Sequence, residues 1–255
     1  MADLPGGRAM PLLGFGTWQL KGGQATEATG WALEAGYRHL DTATMYGNER
    51  EVGAALAASG LAREEVFVTT KLPPDHAGRE LDTLRQSLDM LGTSYVDLWL
   101  IHWPPSGTAG GDIWTAFAEA RQQGLVHDIG VSNYSFDQID EVTKATGVLP
   151  AVNQIRWSPL IFDRAVLDGH RARDIVLEGY SGLKGGALTH PTITGMAQQR
   201  DRTPAQIIVR WHLQHGTVVI PKSTNRDRIV ANASVGDFTL TEHDMSALDS
   251  LAAAG

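Results

Sequence analysis

Four side chains able to move a proton, Asp41, Tyr46, Lys71 and His102, stand in related places along the chain. Asp41 follows the apolar run Tyr37–Leu40, Lys71 follows Val66–Thr70 and His102 follows Val96–Ile101, while Tyr46 lies shortly beyond Asp41 and just before Asn48. A phenol with an ordinary pKa near ~10 is a feeble acid unless something stabilises its anion. A lysine ammonium beside it does so, an aspartate holds and charges that lysine, and a histidine donates a hydrogen bond that orients a carbonyl oxygen. The set suits protonation of an oxygen on which negative charge is developing. It suits glycoside hydrolysis poorly, because that reaction needs two carboxylates flanking the bond. Each residue alone has a plainer reading: Asp41 as a turn cap, Lys71 as a solvated strand end, His102 as a satisfied core histidine, Tyr46 as ordinary packing. Only a fold that brings all four to one rim makes them a site.

The elements that would do so are written as short apolar runs alternating with helical patterns. Strand candidates are Leu12–Phe15, Tyr37–Leu40, Val66–Thr70, Val96–Ile101, His127–Gly130, Ala151–Ile155, Asp174–Glu178 and Thr217–Ile220. Several are near-continuous apolar runs, as expected of parallel strands covered on both faces. Between them, Leu81, Leu84, Leu88 and Leu91 recur at helical spacing, and Ala28, Ala32 and Ala35 do so more weakly across Gly30. Helix starts are signalled by Asn48 with Glu51, Ser135 with Gln138, Thr203 with Gln206 and Thr241 with Asp244, and Pro204 sits where a first helical turn tolerates it. Eight strand–helix units with short connectors predict a closed (β/α)8 TIM barrel occupying residues 1–255 as a single domain, with a doubly wound sheet as the alternative. Pro5-Gly6-Gly7-Arg8 predicts a short N-terminal hairpin capping the barrel floor, the alternative being a frayed terminus. In a barrel, the C-terminal strand ends form the functional face, and there the four side chains would converge.

Composition narrows the chemistry further. The 255 residues carry 21 basic and 29 acidic side chains, a formal charge of −8, which argues against a nucleic-acid or membrane-surface partner. With 42% hydrophobic and 20% charged residues the chain is not a disordered one. The absence of cysteine excludes disulfides, thiolate metal sites and cysteine nucleophiles. Met1–Gly7 lacks the basic and apolar regions of a signal peptide, so a cytoplasmic location is expected, and Asn133-Tyr134-Ser135 and Asn232-Ala233-Ser234 are not read as glycosylation sites. His212 and His215 lie three apart on an expected helix; with no third ligand evident nearby they read as a surface pair, and no metal is expected.

Several stretches resemble the aldo-keto reductases, in the family's order and over almost the whole chain. They are Gly14-Phe15-Gly16-Thr17-Trp18, Glu34-Ala35-Gly36-Tyr37-Arg38-His39-Leu40-Asp41-Thr42-Ala43, Tyr46-Gly47-Asn48-Glu49, Val68-Thr69-Thr70-Lys71-Leu72 and Asp97-Leu98-Trp99-Leu100-Ile101-His102-Trp103-Pro104. Gly130-Val131-Ser132-Asn133-Tyr134, Val152-Asn153-Gln154 and Ile220-Pro221-Lys222-Ser223 continue the series. Within the family the chain most resembles the bacterial 2,5-diketogluconate reductase type. The resemblance implies a TIM barrel that reduces a small carbonyl substrate reversibly with NADPH. Tyr46 would be the general acid, supported by Asp41, Lys71 and His102. A non-catalytic NADPH-binding regulatory subunit of the same fold is the alternative, against which the intact four weigh.

Gly14-Phe15-Gly16-Thr17-Trp18-Gln19 lacks the third glycine of a dinucleotide fingerprint, so a nicotinamide cofactor must be held without a Rossmann turn. Lys222 and Ser223 end the eighth strand unit, and Arg228 and Asn232 are four apart on the following helix, where barrels commonly bind phosphate. The basic groups there suit a 2′-phosphate; a solvated helix start is the alternative. The resemblance further implies that Ser132, Asn133 and Gln154 hold the carboxamide, that Tyr180 stacks on the nicotinamide, and that Ser181 and Leu183 line the cofactor channel. Trp18 and Trp103 would wall the substrate pocket, with Met45 beside Tyr46. Departures from the family pattern are Pro73-Pro74 where relatives carry a tryptophan, Gly182 for the usual proline with Lys184 in the same turn, and Arg156-Trp157-Ser158 after Gln154. The compact stretch between His102 and Ser132 and a truncated C-terminal tail ending at Gly255 predict an open pocket, and the chain is expected to act as a monomer.

Overall fold

The computed structural model describes residues 1–254. Strands β1 (Ala2–Asp3) and β2 (Ala9–Met10) form the expected antiparallel hairpin, with Ala2 opposite Met10. The remaining strands are β3 (Phe15–Gly16), β4 (His39–Asp41), β5 (Phe67–Leu72), β6 (Val96–Ile101), β7 (Val126–Ser132), β8 (Val152–Arg156), β9 (Val176–Tyr180) and β10 (Val218–Val219). They lie side by side in sequence order, all parallel. The sheet closes on itself: Leu13 bridges Val219 in parallel, and Gly14 N donates to Val219 O at 2.9 Å while Val219 N donates to Leu12 O at 2.8 Å. Closure leaves no free edge, which favours the (β/α)8 barrel over the doubly wound alternative.

The helices are α1 (Gly22–Glu34), α2 (Glu49–Ala58), α3 (Glu80–Leu91), α4 (Gly111–Gln122), α5 (Phe136–Thr146), α6 (Arg164–Arg171), α7 (Pro191–Gln199), α8 (Pro204–His215), α9 (Arg226–Ala233) and α10 (Glu242–Asp249). Their local causes are visible in α3. Leu84, Leu88 and Leu91 fall on one buried stripe, each worth about 1.5–3 kcal/mol when fully covered, and Gly92 ends the helix in the left-handed conformation (φ 65°) that a side chain would disfavour. Capping boxes start α5, α8 and α10 at Ser135, Thr203 and Thr241, as their spacing predicts. Asn48 departs from that rule. Its side chain makes no cap at α2 but lies buried, its Nδ2 donating to Thr17 O at 2.8 Å and Leu20 O at 3.0 Å and its Oδ1 accepting from Thr42 Oγ1 at 2.9 Å. It joins the loop after β3 to the segment after β4.

The hairpin plugs the lower end of the barrel. Leu4 and Met10 pack with Phe67, Leu98, Leu100, Val152 and Val218 of the interior. Gly6 N donates to Asp128 Oδ1 at 2.7 Å, Arg8 Nε pairs with Asp97 Oδ1 at 2.9 Å, and a Cβ at Gly6 would fall 2.5 Å from His127 O. Between barrel and helices runs the main apolar layer, where the indole of Trp99 stacks on Phe117 at 3.7 Å.

His212 and His215 are not the surface pair expected from their spacing. Both are buried, because α8 packs its inner face on β9 and the Trp157–Trp211 cluster. Burial holds His212 near pKa 4 and neutral. No helix among the described residues is long and apolar enough to cross a membrane, and no group of histidine and acidic side chains among them could hold a metal ion.

Candidate active site

Asp41 and Lys71 lie inside their strands rather than beyond them, as the last residue of β4 and the fifth of β5, and both side chains point into the barrel. Lys71 Nζ donates to Asp41 Oδ1 at 2.7 Å, to Asp41 Oδ2 at 2.8 Å and to Thr42 O at 2.8 Å, and reaches Tyr46 Oη at 3.4 Å. Both members of the ion pair are buried. Asp41 is steadied from across the barrel by Gln154 Nε2, which donates to its Oδ2 at 2.8 Å.

Tyr46 rides on a 3₁₀ turn, Thr44–Tyr46, that leaves β4 and ends at Gly47 with φ 63°. Lys21 donates to its carbonyl, and Ser87 Oγ, 3.1 Å from Thr44 Oγ1, links the turn to the buried Glu49. The phenol faces the imidazole of His102 edge-on, with ring centroids 5.6 Å apart. Burial pushes the Tyr46 phenol above its ordinary value, and the Lys71 ammonium opposes that rise without reversing it. The expected net acidification is therefore not found: desolvation outweighs the cation, and the group rests as the protonated phenol a proton donor must be. Burial alone would lower the Lys71 ammonium, but the facing Asp41 carboxylate holds it above its ordinary value and charged.

His102 is lowered to about 3 by burial and by the Lys71 charge, so its ring is neutral at physiological pH. Its Nδ1 is buried without a partner, which leaves Nε2 as the nitrogen that meets the cavity. Asn133, in the left-handed conformation at φ 64°, donates through Nδ2 to His102 O at 3.2 Å and accepts from Tyr180 Oη at 2.7 Å. Ser132 Oγ donates to Gln154 O at 2.8 Å and accepts from Asn133 Nδ2 at 3.0 Å. Ser132, Asn133, Gln154 and Tyr180 thus form one hydrogen-bonded wall running into the Asp41–Lys71 pair.

A cavity of about 870 Å³ opens at this end of the barrel. Asp41, Tyr46 and His102 line it, and so do Ser132, Asn133, Gln154, Tyr180, Ser181, Leu183, Lys222, Ser223, Arg228 and Asn232. Trp18, Met45 and Trp103 line it too, each about half exposed to solvent. Lys71 alone among the expected site residues is not on its surface; it lies behind Asp41 and Tyr46, in contact with both. Arg228 and Asn232 share one face of α9, and Asn225 caps that helix by accepting from Arg228 N at 2.9 Å. Pro73 and Pro74 do not line the cavity. Gly182 has a packing reason to be glycine, since a Cβ there would come within 3.0 Å of His212 Cε1.

Beyond the expected site residues, the cavity is lined by Lys184, noted above only as a departure from the family pattern, and by Leu188. Lys184 places its ammonium 4.0 Å from the centroid of the Trp18 ring, joining two loops at the mouth, and Leu188 adds an exposed apolar side chain. Glu178 of β9 lies buried in the barrel interior. Its signal was present, since it ends an apolar run just as Asp41 does, but no family stretch draws attention to it.

The comparisons with known proteins agree with this geometry. The family model described as "Aldo/keto reductase family" matches residues 12–253. An aldo-keto reductase of Mycobacterium sp. (strain KMS) is 43% identical over 255 residues, covering 98% of this chain and 92% of that protein. A 9,11-endoperoxide prostaglandin H2 reductase of Trypanosoma cruzi (strain CL Brener) is 41% identical over 249 residues, covering 95% and 88%. The crystal structure of an aldo/keto reductase from Brucella melitensis superposes with a TM-score of 0.93 at 41% identity, covering 98% of both chains. The chain belongs to the aldo/keto reductase family, and its fold is that family's (β/α)8 barrel.

Proposed function

We propose that the protein is an NADPH-dependent reductase of aldehydes and ketones, with Tyr46 as proton donor. The observation that carries this reading is the juxtaposition of the Lys71–Tyr46 contact at 3.4 Å with a neutral His102, both at the inner end of a cavity whose outer part carries Lys222 and Arg228. The donors fit a nicotinamide dinucleotide. Ser132, Asn133 and Gln154 offer amide and hydroxyl groups at the inner end, Tyr180 a ring, Ser181 and Leu183 a channel, and Lys222, Ser223, Arg228 and Asn232 charge and hydrogen bonds for a 2′-phosphate. When bound, the reduced nicotinamide supplies a hydride to the carbonyl carbon.

Everything else falls to the chain itself. Neutral His102 donates a hydrogen bond to the carbonyl oxygen and orients it beside Tyr46. As charge develops on that oxygen, Tyr46 gives up its phenolic proton, and Lys71 stabilises the phenolate left behind. Asp41 keeps Lys71 aimed and charged. Preorganised groups of this kind are worth several kcal/mol because they need no rearrangement during the step. Trp18, Met45 and Trp103 supply an apolar mouth for the rest of the substrate, and Lys184 on Trp18 narrows it. A single-domain cytoplasmic monomer is part of the same proposal. The resemblance read in the sequence makes 2,5-diketogluconate one candidate substrate, and the prostaglandin endoperoxide named for the trypanosomal relative suggests another.

The test is NADPH consumption with a panel of carbonyl compounds including 2,5-diketogluconate, methylglyoxal and aromatic aldehydes. Turnover of at least one, with the alcohol as product, is expected. Tight NADPH binding with no turnover across the panel would overturn the reading in favour of a binding subunit.

A further inference from the structure

Directly beneath the cavity the barrel interior brings together one ammonium, Lys71, and the carboxyl groups of Asp41 and Glu178. An ammonium has three N–H bonds, and Lys71 directs its own at the two oxygens of Asp41 and at Thr42 O, with Tyr46 Oη as its remaining neighbour. None is left for Glu178. That side chain is completely buried, neither of its oxygens has a hydrogen bond of ordinary length, the neighbouring Gln154 amide being directed at Asp41 Oδ2, and the basic nitrogen within reach is His39 Nε2, 3.8 Å from Oε1. His39 offers no charge, because burial lowers it to about 4, and its Nε2 lies 3.2 Å from Thr69 Oγ1. Across the sheet, Glu178 is in register with Gln154 on β8 and Val218 on β10, neither of which is charged. The titratable groups facing it are therefore His39 and Asp41 from β4, Lys71 from β5 and Tyr46 from the turn that follows β4. An anion so placed would be desolvated and repelled by Asp41, which outweighs what Gln154 and Lys71 return and favours keeping a proton.

We propose that Glu178 is a positioning residue of the site, acting as a neutral carboxylic acid whose proton leaves Asp41 as the only anion competing for Lys71. The inference rests on the carbonyl-reducing reading given above. Burial and then the Asp41 charge push the Glu178 carboxyl up to about 8, against the opposing effects of Gln154 and Lys71. As pH rises through that value, a second negative charge appears beside the Lys71–Tyr46 contact. It makes the phenolate harder to form, so proton donation slows although the phenol stays protonated.

The experiment compares kcat of the wild type and Glu178→Gln across neutral and alkaline pH at saturating NADPH and substrate, with infrared difference spectroscopy of both proteins over the same range. The wild type should lose kcat with a midpoint near 8, and Glu178→Gln, which cannot ionise, should lack that limb. The ratio of variant to wild-type kcat should then climb with pH by up to about tenfold per unit above the midpoint. A ratio constant across pH overturns the proposal and assigns Glu178 a packing role. The spectrum gives a readout that needs no turnover: the wild type should lose a protonated-carboxyl carbonyl band with the same midpoint, and the variant should lack it. Absence of the band in the wild type overturns the proposal even if the variant does not fold. Its presence in a protein that reduces no carbonyl compound overturns the functional reading instead.

Discussion

Lys71 and Asp41 face each other inside the barrel with both carboxylate oxygens 2.7–2.8 Å from one ammonium nitrogen, and both side chains are buried. The pair joins adjacent strands, β4 and β5, and is braced by Gln154 from the far wall. A buried pair of this kind is not an efficient way to stabilise a fold, because desolvation offsets most of its attraction. On the proposed function, its presence is explained by the Tyr46 phenol 3.4 Å from the ammonium.

Lys71→Met should therefore be costly in two ways. Removing the cation leaves Asp41 buried and uncompensated, at about 3–5 kcal/mol of unfolding free energy. Urea denaturation measures that loss, and Lys71→Met combined with Asp41→Asn should recover part of the stability while leaving turnover abolished. A stable single variant would contradict the buried-pair geometry.

Tyr46→Phe should reduce kcat by about 10²–10⁴-fold, the usual contribution of a positioned proton donor. The affinity for NADPH, measured by quenching of tryptophan fluorescence, should change little, since the hydroxyl contacts Lys71 rather than the wall of Ser132, Asn133 and Gln154. A near-normal rate would remove Tyr46 from its role.

Three buried histidines should set the acid limit of stability. His39 and His212 are lowered to about 4 and His102 to about 3, all mainly by burial. Unfolded, each takes up a proton below about 6.5. The folded-state pKa is depressed in every case, so the unfolded chain binds more protons and stability falls as pH drops from about 6.5 toward 4. Urea midpoints measured across that window should decrease steeply. His102→Gln should flatten the slope by about one proton's worth, and an unchanged slope would mean that His102 titrates normally.

Lys222→Ala and Arg228→Ala should weaken NADPH binding by roughly tenfold or more, in line with loss of a charge-assisted hydrogen bond of about 1.5–3 kcal/mol. NADH, which lacks the 2′-phosphate, should be affected much less. Equal loss for both dinucleotides in a fluorescence titration would show that these two residues do not read that phosphate.

All eight barrel strands were legible as short apolar runs, because parallel strands covered on both sides need little polar surface. Their ends were not. Asp41, Lys71, Ser132 and Tyr180 belong to strands, yet they interrupt or end the apolar signature because the upper barrel interior is a site rather than a core. The capping boxes at Ser135, Thr203 and Thr241 were read correctly from spacing, since both partners lie within one helical turn. Asn48 has the same local pattern and a different fate: its Oδ1, the atom that would cap, accepts from Thr42 Oγ1, while its Nδ2 is held by Thr17 O and Leu20 O from a loop far away in sequence. His212 and His215 misled for the opposite reason: their spacing is that of an exposed pair, but the helix face bearing them is pressed on β9.

By itself the sequence determined the eight repeating units, the helix boundaries set by caps and glycines, and the types of side chain available at the strand ends. These follow from periodicity and from contacts within a turn or two. Closure of the sheet between Leu13 and Val219 decided the rest: that Gln154 meets Asp41, that Glu178 is left without a partner, and that burial outweighs the ammonium at Tyr46. Desolvation and charge pairing depend on which distant groups share an interior, and only the closed barrel specifies that.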